Sequence, residues 1–133
     1  MKTLDDIFDY AKYNLQKDVP VDELQNILEI IVTSIRGIIH EHYSCEEVFK
    51  LAILAHILKR KTKAFIAKQE IDSKQEIDRA TNTLEKIDTL IDAIESSSVI
   101  SEGKYENQPL SSLLLEMNTM KEKTLVFHLR TTF

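Results

Sequence analysis

Between Gly37 and Gly103 the chain contains neither glycine nor proline, and the whole sequence holds only two of each, the prolines being Pro20 and Pro109. Soluble proteins average about 7% glycine and 5% proline. A β-sandwich or barrel of this length needs many tight turns, which these residues supply. A dinucleotide or P-loop fold needs glycines where backbone approaches phosphate, and Gly37 and Gly103 stand alone. With 43% apolar residues the chain has enough Leu, Ile, Val and Phe to form a core. The expected fold class is therefore all-α.

Apolar periodicity divides the chain. Leu4, Ile7, Phe8, Ala11 and Leu15 form one stripe, predicting a helix over about 3–17. Pro20 ends that segment through Val19 and suits the first turn of the next. Val21, Leu24, Leu28, Ile31, Ile35 and Ile38 then predict a helix over 20–42, broadened by Ile27, Ile30, Val32 and Ile39. Ser44 and Glu47 make an S-x-x-E capping box before a third helix. From Val48 to Leu58 that helix is apolar almost all round, and it then changes abruptly to Lys59-Arg60-Lys61-Thr62-Lys63.

Helical periodicity can continue from Cys45 to about Glu95, a rod of about 75 Å at the usual rise per residue. The tetrapeptide Gln-Glu-Ile-Asp recurs at a six-residue step, at 69–72 and 75–78. Six is not a helical period, and Ser73 with Glu76 offers a second capping box there. A continuous, phase-shifted helix is the first expectation and a break near 72–74 the second. Beyond it Ile77, Ala80, Leu84, Ile87, Ile91 and Ile94 step by 3, 4, 3, 4, 3, a narrow seam that requires a partner helix. The Ser96–Pro109 stretch reads as a loop, a last helix spans 110–123, and 124–133 reads as a β-prone tail. The expectation is one domain over 1–123: a bundle of four to five helices, with a long central helix and coiled-coil-like packing.

The net charge of −5 is uneven. Residues 1–58 carry 5 basic and 10 acidic side chains, 59–79 carry 7 and 4, and 80–133 carry 5 and 8. Lys59, Arg60, Lys61, Lys63 and Lys68 give five cations and no acids over ten residues, a candidate polyanion-binding stripe. Phe65 is its single aromatic residue, and no helix-turn-helix follows.

Little here supports catalysis or metal binding. His40 and His42 are two apart, so a helix points them away from each other. Cys45, the one cysteine, precedes Glu46 and Glu47, which disfavour a thiolate. No metal or cofactor is implied. Arg36-Gly37-Ile38-Ile39-His40-Glu41-His42-Tyr43 resembles the arginine-then-histidine motif of the HEPN family of all-α ribonucleases, with five residues between Arg36 and His42. That resemblance implies a metal-independent ribonuclease with Arg36 and His42 at a dimer interface. Gly37 stands where the family favours a polar residue, and the motif comes earlier in the chain than is usual there.

Cys45 alone excludes an internal disulfide, and Asp5 and Asp6 follow the first residues where a secretory signal would be apolar, so a cytoplasmic location is expected. The most apolar region, Leu24 to Ile39, is interrupted by Glu29 and Arg36, so no membrane span is expected. The leading functional expectation is a non-enzymatic protein–protein interaction module, an adaptor, scaffold or assembly chaperone. It would self-associate or bind a helix through Ile77, Leu84, Ile87, Ile91 and Ile94. The alternative is a nucleic-acid-binding accessory factor using the basic stripe.

Overall fold

The computed structural model describes residues 4–16, 19–41, 45–68, 74–96, 105 and 107–120. Five helices form it: α1 (Leu4–Leu15), α2 (Val21–Glu41), α3 (Cys45–Lys68), α4 (Lys74–Ser96) and α5 (Leu110–Met120). Among the described residues there is no strand. The fold is an all-α bundle, with α3 packing against each of the other four helices.

Both prolines open helices. The Pro20 carbonyl accepts from the amides of Glu23 at 3.1 Å and Leu24 at 3.2 Å, and the Pro109 carbonyl accepts from Leu113 N at 3.1 Å. Each proline thus starts a hydrogen-bond ladder to which it need not donate. Asp22 and Glu23 occupy the first turn of α2, where the helix dipole favours carboxylates.

Every residue from Val48 to Leu58 is buried, so this half of α3 needs cover on all sides. α1 supplies it with Phe8, Ala11 and Leu15, α2 with Leu24, Ile27 and Ile31, α4 with Ile87, Ile91 and Ile94, and α5 with Leu113 and Met117. Burying each large aliphatic side chain stabilises the fold by about 1.5–3 kcal/mol. Lys50 is also buried, its Nζ 5.6 Å from the centre of the Phe8 ring.

That demand for cover corrects one expectation. The segment 45–95 is not a single rod: α3 ends at Lys68 and α4 begins at Lys74 and lies against α3. A continuous rod would leave the all-apolar half of α3 without the apolar face that Ile87, Ile91 and Ile94 provide. Arg79 of α4 donates to Asp22 and, at 2.8 Å, to Gln25 Oε1, joining the starts of α2 and α4. The expected 124–133 tail lies outside the described residues.

Candidate partner-docking groove

The seam predicted on α4 does meet a helix, but that helix belongs to the same chain. Ile87, Ile91 and Ile94 are 0%, 5% and 2% exposed and sit in the core with α3. Only Ile77 and Leu84, at the margin, are half-buried. The expectation that all five line a contact with a second copy is therefore corrected for the three buried residues. A surface cannot be built from side chains the fold already encloses.

The basic stripe occupies the last turns of α3, where burial falls from complete at Leu58 to partial at Lys59, Arg60 and Lys61. Lys59 Nζ lies 2.9 Å from Asp88 Oδ1 on α4, and Arg60 Nη2 donates to the Tyr105 carbonyl. Thr62 is buried and its hydroxyl returns to the Leu58 carbonyl at 2.8 Å. Lys63 and Lys68 are exposed, and Lys61 is half-buried. Ala64 and Phe65 belong to the same turns, and Phe65 packs only against the edge of the core.

Helical spacing brings Arg60, Lys61, Ala64, Phe65 and Lys68 to one face. Facing them across a groove of about 350 Å³ are Val19 and Pro20, from the α1–α2 connection, and Leu110, the first residue of α5. The groove thus has an apolar floor and a cationic rim. Three of the five predicted cations line it, while Lys59 turns to α4 and Lys63 is not among the lining residues.

Arg60 leads from the groove to a buried polar cluster absent from the sequence reading. Tyr105, 0% exposed, lies in the segment expected to be a plain loop. Its ring meets Phe49 edge-on, with centroids 5.3 Å apart and planes at 82°, and lies 5.5 Å from the His56 ring. Its carbonyl accepts from Arg60 and, at 3.3 Å, from the Gln108 amide. Burial, with Glu116 and Glu95 nearby, holds the Tyr105 phenol far above the ordinary tyrosine value. Burial also pulls the Arg60 guanidinium below its ordinary value. His56 Nε2 lies 2.9 Å from Glu95 Oε1, with both side chains nearly enclosed. A histidine inside an otherwise apolar run was the available signal, since a buried polar ring requires a partner. Nothing in the sequence singled out Tyr105.

A larger cavity, about 600 Å³, lies between α2 and α4 beside Leu28, Glu29, Val32 and Lys86. Its two hydroxyls are turned inward to their own helices: Thr33 donates to the Glu29 carbonyl at 2.9 Å and Thr83 to the Arg79 carbonyl at 2.8 Å. Gln25 Oε1 also accepts from Arg79, at 2.8 Å, so much of its polar lining is already engaged within the chain and it is the weaker candidate.

For the ribonuclease resemblance, Arg36 lies on α2 and His42 lies outside the described residues. Among the described residues, no three His, Cys, Asp or Glu side chains gather as a metal-holding group. Among them, too, no helix is long and apolar enough to cross a membrane. Comparison of the chain with protein-family models finds no match, and comparisons with curated proteins and with solved structures find none.

Proposed function

We propose that this chain is a non-enzymatic helical protein–protein interaction module that binds through the groove at the end of α3. The observation that carries this reading is the company kept by Phe65. It stands half-buried with Ala64, Val19, Pro20 and Leu110 in an open groove, under the charges of Arg60, Lys61 and Lys68. An apolar floor that the described residues leave open, bordered by polar groups that set orientation, is the form of a helix-in-groove site. Self-association through α4 is confined to its margin at Ile77 and Leu84.

Selection from a display library of helix-forming peptides against the whole chain tests this reading. Binders should emerge that Phe65→Ser and Leu110→Ser both reject while each variant keeps wild-type helical circular dichroism. A library that yields no binder, or binders indifferent to both substitutions, contradicts it.

The cations support a second reading, a nucleic-acid-binding accessory factor, chiefly through exposed Lys63 and Lys68. Each phosphate neutralised adds about 0.9 to the slope of log affinity against log salt. Lys59 pairs with Asp88, Arg60 donates to the Tyr105 carbonyl, and Lys61 and Lys68 have partners as well, so the stripe offers fewer phosphate contacts than its five cations suggest. Gel-shift binding that weakens steeply with salt and ignores Leu110→Ser would favour this second reading over the first.

A further inference from the structure

We draw no further inference here: the strongest candidate, the groove at the end of α3 floored by Phe65 and Leu110, carries nothing beyond the reading above, because Arg60, Lys61 and Lys68 on its rim already have partners and nothing in the structure shows what covers it.

Discussion

His56 Nε2 on α3 stands 2.9 Å from Glu95 Oε1 on α4, across a junction where the more exposed Lys59–Asp88 pair also links the two helices. Each group answers the burial of the other, so removing one leaves a desolvated polar atom behind. His56→Leu and Glu95→Leu should each destabilise the fold by about 1–3 kcal/mol. The double replacement should cost less than the two single changes added together, because it removes both polar groups. Urea denaturation of the four proteins measures this. Strict additivity would mean that the pair does not tie α3 to α4.

The position of Ile87 separates a seam used inside the chain from one used between chains. Its side chain is wholly enclosed, whereas Leu84 lies at the margin of α4. Ile87→Asp should therefore abolish the cooperative fold, with a loss of about 4 kcal/mol or more, as expected for a charge forced into a core. Leu84→Asp should retain the helical signal with a smaller loss. An Ile87→Asp protein that stays folded and merely changes from oligomer to monomer would restore the seam to the surface.

Tyr105 makes the fold sensitive to alkali. Its phenol is held above the ordinary value by burial first, and by Glu116 and Glu95 next. A phenol that keeps its proton in the native state loses it in the unfolded chain near pH 10. Below that pH the native and unfolded states hold the same proton. Above it the unfolded state is favoured, so stability declines as pH rises. Tyr105→Phe should flatten that decline. Tyr10, also raised, chiefly by its hydrogen bond to Glu23, should leave a residual slope. Chemical denaturation on either side of pH 10 reads the difference. An unchanged slope in Tyr105→Phe would mean that the ring is not buried as described.

Local signals located most of the helices. Pro20 and Pro109 open α2 and α5 as their missing amides require, and the Ile87–Ile91–Ile94 spacing announced a face that meets another helix. What periodicity does not convey is which helix. The Ser73–Glu76 capping box and the six-residue repeat allowed an α3–α4 break, but without glycine or proline there they did not decide it; the enclosure of Val48 to Leu58, a tertiary demand, does. The groove was hidden for a related reason. Arg60, Lys61 and Lys68 were visible as a charged run, but Val19, Pro20 and Leu110 reach them from sequence positions some forty to fifty residues away. Charge alone therefore suggested a polyanion, and the apolar floor came into view only with the fold. Tyr105 carries no periodic signal, since it is a single aromatic plug in a connecting segment.

The central claim, that this molecule meets its partner at the exposed end of α3, is tested most directly by amide chemical-shift mapping during titration with a helical peptide selected from the display library. The account predicts shifts concentrated at Val19, Arg60 to Lys68 and Leu110 to Ser112, with the Ile87–Ile94 face of α4 unmoved. Shifts centred instead on α4, or on the cavity between α2 and α4, would contradict it.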